Sequence, residues 1–163
     1  MKRKISSTEA IALIDANNFY ASCEQSINPH LRNKPVVILS NNDGCIIARS
    51  PEARALKIKM GTPYFKAKKS LNRLGVAVLS SNYSLYGDMS KRLMNLLKDY
   101  SEEIEIYSID EAIVSIIRPK HKSLNPWARK VRCLIYQNLG ITLTIGIAAV
   151  SYTHLTLPTT PYV

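Results

Sequence analysis

Two acids stand side by side at Asp110-Glu111, at the break between two short apolar runs, Ile104 to Ser108 and Ala112 to Ile117. β-Branched residues dominate both runs, so each reads as a strand and the acids belong to the junction between them. Adjacent carboxylates repel. A chain keeps such a pair when water solvates it, when a cation holds it, or when one acid stays protonated. Taken alone, the pair fits an ordinary solvated hairpin turn. A third acid alters that balance: the run from Glu9 to Asp15 is continuously apolar until it ends in Asp15, the pattern of a buried strand with a polar group at its C-terminal end.

The intervening chain supplies the other elements. Asn17 or Asn18 caps a helix through Ile27, which Asn28-Pro29 closes. Lys34 to Leu39 and Cys45 to Ala48 are strands joined by Asn41-Asn42-Asp43-Gly44, whose Asp-Gly step favours a turn. Pro51 starts a short helix through Leu56, with Arg49 and Arg54 placed to grip a phosphate. A helix from Tyr64 to Leu74, a strand from Val76 to Ser80 and a long amphipathic helix from Asn82 or Ser84 to about Tyr100 follow. That helix presents Leu85, Met89, Leu93 and Leu96 or Leu97 as its buried stripe. After the two strands around Asp110, Asn125 caps and Pro126 starts a helix through Leu139, with Trp127, Val131, Leu134 and Ile135 inward. Thr142 to Ala148 is the last strand.

With the block from about Asn18 to Ser81 set aside as an insertion, the order is strand, helix, strand, strand, helix, strand. That is the split βαβ, or ferredoxin-like, α+β pattern, whose first strand lies beside the third. Asp15 ends the first strand and Asp110-Glu111 is the turn from the second strand into the third, so three acids remote in sequence are expected at one sheet edge. Oxygen ligands of this kind suit Mg²⁺, which keeps its remaining positions for water and substrate phosphate. Two such ions support an in-line phosphoryl displacement, so the chemistry suggested is nucleotidyl transfer.

Charge points the same way. Lys and Arg number 22 against 12 Asp and Glu, a formal charge of +10 spread over Lys2 to Lys4, Arg49 to Lys69 and Arg118 to Arg132. Polyanions, nucleic acid above all, are the natural partners. Cys23, Cys45 and Cys133 are an odd number without metal-ligand spacing, so reduced thiols in a cytoplasmic protein are expected. No apolar run approaches the length of a membrane span.

Four ordered motifs then carry a resemblance: Asp15-Ala-Asn-Asn-Phe-Tyr20, Ser40-Asn-Asn-Asp-Gly-Cys-Ile-Ile-Ala-Arg49, Ser80-Ser-Asn-Tyr-Ser-Leu-Tyr-Gly-Asp-Met-Ser90 and Tyr107-Ser-Ile-Asp-Glu-Ala112. Together they resemble the Y-family translesion DNA polymerases, and among those the UmuC type found as the catalytic subunit of DNA polymerase V. The resemblance runs from about Ile11 to Ala149. It implies a polymerase palm formed by 1–17 and 82–149, with a small fingers subdomain over 18–81. It implies an error-prone, lesion-bypass DNA-directed DNA polymerase of the SOS response. Asp15 and Asp110 would bind both of two Mg²⁺ ions, Glu111 the catalytic one, and the Ala16 carbonyl would complete a site. Phe19, Tyr20, Arg49 and Arg54 would bind the incoming nucleotide, with Tyr20 as the steric gate that excludes a ribose 2′-hydroxyl. Pro51 stands where some members have a tyrosine that bonds the triphosphate. Implied partners are primer-template DNA and dNTP and, for the full-length protein, an accessory polymerase V subunit, a recombinase filament and a sliding clamp.

Beyond Ala149 the likeness stops. Residues 150–163 carry no Lys, Arg, Asp or Glu and show no sustained periodicity. Val150 to Thr159 also equals one translation of the transposon-end adapter used in sequencing libraries. The expectation is that this tail is adapter read-through from a longer gene, and that His154 is no ligand. The thumb, the little finger and a phosphate-binding lysine after the last palm strand would then be missing, and the chain would extend primers little or not at all. Two rivals remain. One is a noncatalytic fragment that holds damaged or single-stranded DNA or docks on polymerase partners; the other is a nucleotidyl cyclase on a palm-like fold.

Overall fold

The computed structural model describes residues 9–117 and 123–149; residues 1–8, 118–122 and 150–163, with the sequence expectations that fall on them, lie outside the described residues. Two sheets organise it. The larger has strands β1 (Glu9–Ala16), β5 (Glu103–Ile106), β6 (Glu111–Ile117) and β7 (Leu143–Ala149) in the order β5-β6-β1-β7, every neighbour antiparallel. Helices α4 (Tyr83–Lys98) and α5 (Asn125–Leu139) complete the split βαβ pattern expected from the element order.

Strand alternation shows which side of this sheet is covered. Ala10, Ala12, Ile14 and Ala16 on β1, with Ala112, Val114 and Ile116 on β6, are buried. Along α4 and α5 they meet Tyr86, Met89, Leu93, Leu97, Val131, Ile135 and Leu139 in one core. The alternate residues face the open side, where Leu13 keeps 49% of its surface exposed. Asp15 shares that open side by the same period of two.

The smaller sheet has order β3-β2-β4, from β2 (Val36–Leu39), β3 (Ile46–Arg49) and β4 (Ala77–Ser80). All four β2 residues are buried because each face has its own core. Val36 and Ile38 join the large core beside α1 (Phe19–Ile27), whereas Val37 and Leu39 pack with Ile46, Ala53, Leu71 and Val76 under α2 (Pro51–Ala55) and α3 (Tyr64–Arg73). A buried serine ties the unit together: Ser50 Oγ accepts from the Val36 and Ala53 N–H groups at 3.1 and 3.3 Å and donates to the Lys34 carbonyl.

Several local expectations shift. Asn18 precedes α1 in a left-handed conformation, φ 51°, and its side chain makes no capping bond. Leu124, not Asn125, is the residue before α5. On α4 the largest buried side chain is Tyr86, fully enclosed, while Leu85 is only partly covered. Trp127 and Leu134 likewise sit at the rim of the core. The strand before the acids stops at Ile106, and Glu111 is the first residue of β6, so only Asp110 lies within the turn. The cysteines are free thiols; burial pushes the Cys23 thiol up to about 12. No helix of the described residues is long and apolar enough to cross a membrane.

Candidate active site

The site begins at the C-terminal end of β1, a central strand with β6 on one side and β7 on the other. Asp15 lies opposite Glu111 on β6 and opposite Thr144 on β7. Directly opposed residues of an antiparallel pair have Cβ atoms roughly 4.5–5.5 Å apart on one face. One residue on, the Ala16 N–H donates to the Asp110 carbonyl at 2.9 Å, which clamps the acidic turn against β1. The expected convergence of the three acids is therefore built by strand register.

Ser108 shapes the turn. Its Oγ donates to Asp110 Oδ1 at 2.6 Å and accepts from the Asp110 and Glu111 N–H groups at 3.3 and 3.1 Å. The N–H groups of Tyr107 and Ser108 both donate to the Glu111 carbonyl. One hydroxyl thus fixes both the backbone and one carboxylate oxygen, an orienting role that sequence reading had not assigned to it.

Electrostatics record the crowding. Burial, then the charges of Asp110 and Glu111, push the Asp15 carboxyl above its ordinary value. Like charges held together at a partly desolvated edge favour either a proton or a cation. Among the described residues, however, no three His, Cys, Asp or Glu side chains close up into a ready-made metal cage. The carboxylates share one sheet edge and sense one another's charge. Hard oxygen donors that leave positions open fit Mg²⁺, which retains water and substrate oxygens.

A cavity of about 620 Å³ opens beside this edge, and every sequence-predicted site residue except Glu111 lines it: Asp15, Ala16, Phe19, Tyr20, Arg49, Arg54 and Asp110. The two arginines come from the small sheet and α2, whereas the acids come from the large sheet. Arg54 Nη2 donates to Asn18 Oδ1 at 2.9 Å, which explains why Asn18 does not cap its own helix. Arg49 Nη1 donates to the Ile58 carbonyl. On α1, Tyr20 stacks on the ring of Tyr86 at 4.4 Å and 15° and meets Tyr83 edge-on. Tyr86 is held in turn by its hydroxyl, which donates to Glu24 at 3.0 Å. Burial, then Tyr83 and Asp110, hold the Tyr20 phenol above its ordinary value, so it stays neutral.

Sequence reading missed the frame around these groups. Asn17, Asn18, Met60, Ile109 and Thr142 line the same cavity. Asn17 is bonded to Thr144 on β7 and to Thr142 just before that strand: Thr144 Oγ1 donates to Asn17 Oδ1 at 2.8 Å, and Asn17 Nδ2 donates to Thr142 Oγ1 at 3.4 Å. A signal did exist, since Thr142 and Thr144 share one face of a strand with a period of two.

Comparison with known proteins gives a consistent picture. The model of the impB/mucB/samB family matches residues 14–153. Protein UmuC of Salmonella typhimurium is 47% identical over 138 residues, covering 84% of this chain and 33% of that protein. DNA polymerase IV of Saccharolobus solfataricus is 35% identical over 146 residues, 85% of this chain and 41% of that protein. Among solved structures, a Y-family DNA polymerase chimera superimposes with a TM-score of 0.71 at 27% identity, over 85% of this chain and 42% of that one. The chain spans about a third of the length of its UmuC relative.

Proposed function

The chain belongs to the impB/mucB/samB family, and on that premise we propose that it is the catalytic part of an error-prone, lesion-bypass DNA-directed DNA polymerase acting in the SOS response. The observation that carries this is one cavity lined by the carboxylates Asp15 and Asp110 from the larger sheet, by Arg49 and Arg54 from the smaller sheet and α2, and by Tyr20 from α1. A polyanion with divalent counterions fits such walls, and a deoxynucleoside triphosphate has that chemistry.

Each residue has a task in this proposal. Asp15, Asp110 and Glu111, with the Ala16 carbonyl, hold two Mg²⁺ ions. When bound, the ions activate a primer 3′-hydroxyl and neutralise the leaving pyrophosphate. Arg49 and Arg54 bind the triphosphate as charged donors. Phe19 and Tyr20 face the sugar, and Tyr86 backs the Tyr20 ring so that it cannot retreat from a 2′-hydroxyl. Ser108 aims Asp110, and Asn18 aims Arg54. The larger sheet with its helices, 1–17 and 82–149, serves as palm, and 18–81 as fingers. Primer-template DNA is the macromolecular ligand. An accessory subunit, a recombinase filament and a sliding clamp belong to the full-length protein in the cytoplasm.

The test is nucleotide binding with and without Mg²⁺, followed by fluorescence of a labelled dNTP. Binding that needs Mg²⁺ and vanishes in both Asp15→Ala and Asp110→Ala supports the proposal. DNA binding without any metal-dependent dNTP binding would instead identify a noncatalytic binding fragment, and a cyclic product from ATP or GTP would identify a cyclase.

A further inference from the structure

The +10 chain carries basic residues on α5 that the site above does not use. Arg129 and Arg132 lie three residues apart on α5, so their side chains project from one face of the helix. Both are exposed, and among the described residues neither guanidinium is paired with a carboxylate. Both line two adjoining cavities, of about 430 and 340 Å³, that run between α5 and β7. β7 is an edge strand of the large sheet. Its exposed Thr144 joins Asn17 and Asn125 in the first cavity, and Thr142 joins Tyr136 in the second. No acidic side chain lines either one.

The groove is continuous with the candidate active site. Asn17 lines both the first of these cavities and the site cavity, and Thr142 lines both the second and the site cavity. From Asn125 to Tyr136 the helix rises about 16 Å at about 1.5 Å per residue, far longer than a free pyrophosphate and enough for several nucleotides. Tyr136, 59% exposed at the end where the second cavity lies, offers an aromatic face. Two free guanidiniums, hydroxyl and amide donors and an exposed ring in one elongated groove are the parts of a single-strand track: phosphates on the cations, a base stacked on the ring.

The geometry points to the α5/β7 groove as a binding track for single-stranded DNA, running out of the active-site cavity along Thr142, Arg132 and Arg129. The inference deepens the polymerase proposal, because it supplies a path for unpaired strand next to the nucleotide site. It is tested apart from that proposal by reading two ligands on the same proteins.

Fluorescence anisotropy of a labelled twelve-residue oligo-dT is measured against salt for the chain, for Arg129→Ala/Arg132→Ala, for Tyr136→Ala, and for Lys68→Ala/Lys69→Ala on α3, which removes the same charge elsewhere. Mg²⁺-dependent dNTP binding is measured in parallel. The arginine pair is expected to weaken oligo-dT binding at least tenfold at low salt and to lower the salt slope by about 1.4, at about 0.7 per lost phosphate contact. Tyr136→Ala is expected to cost about tenfold with the slope unchanged. The lysine pair has a clearly smaller effect, and dNTP binding persists in all variants. Equal losses from the arginine and lysine pairs, an unchanged arginine double variant, or pyrophosphate competing as well as oligo-dT each overturn the track. Failure of dNTP binding in the unaltered chain overturns the polymerase proposal and leaves the oligo-dT result to decide the groove.

Discussion

The two walls of the active-site cavity are built to different standards. The acidic wall stands on β1, which has a partner on each side and a buried row of Ala10, Ala12, Ile14 and Ala16 beneath it. The cationic wall stands on β3, an edge strand, and on the five-residue helix α2. Its own core holds six buried residues, against twenty-two in the large one. A small core gives less stabilisation to hold against local opening. Under the proposed function, carboxylates that need fixed mutual geometry are set on the sheet with the larger core, and arginines that would meet a flexible triphosphate on the unit with the smaller one.

The largest expected effect breaks the braced wall outright. Asp15→Ala or Asp110→Ala should reduce Mg²⁺-dependent dNTP affinity more than 100-fold, beyond the roughly 10–100-fold typical of removing an outer-shell partner. Titration calorimetry is the measurement, and affinity unchanged within twofold would remove both acids from the site. Ser108→Ala keeps every carboxylate but frees Asp110 Oδ1 and two N–H groups. Its cost should fall inside that 10–100-fold range, and a negligible cost would mean that strand register alone positions the turn.

The movable wall should give less. Asn18→Ala deletes the hydrogen bond that Arg54 donates to the residue before α1, so dNTP affinity should drop about fivefold, in keeping with about 1 kcal/mol for an exposed hydrogen bond to a charged group. A loss as large as that of Arg54→Ala would show that the guanidinium needs rigid aiming after all. Leu71→Ala, in the small core, should speed amide hydrogen exchange in β2, β3 and β4 before it affects β1 and β6. Uniform acceleration across both sheets would merge the two walls into one cooperative unit.

The smallest effect is a slope. Asp15 has its pKa raised in the folded chain, so between its ordinary value of 3.8 and the raised one the folded state holds a proton that the unfolded state has released. Metal-free stability should therefore fall as pH climbs through that window. Asp15→Asn should abolish the decline, making the variant more stable than the parent above the window and no more stable below pH 3.8. Chemical denaturation with chelator present reads this directly, and parallel pH profiles for the two proteins would show that Asp15 carries no such strain.

Much of this was open to reading along the chain. Runs of period two and 3.6 mark the strands and helices because side-chain direction is set by the local backbone. The order of those elements, with the handedness rule for crossovers, was enough to bring Asp15 to Asp110 before any coordinates. Helix ends were less legible: Asn18 has the chemistry of a cap, yet its amide bonds Arg54, thirty-six residues on.

What the amino-acid order determined by itself is the split βαβ pattern, its insertion and the edge where the acids gather, since burial of an alternating strand admits one register and one face. What the tertiary structure alone decided is the surroundings of those acids: Ser108 turned onto Asp110, Tyr86 stacked on Tyr20, Thr142 and Thr144 bonded to Asn17, and Arg129 and Arg132 without a carboxylate partner among the described residues. The side-chain bonds among these depend on where separate elements meet, and no local periodicity encodes a separation of 62 residues, as from Glu24 to Tyr86, or 127, as from Asn17 to Thr144.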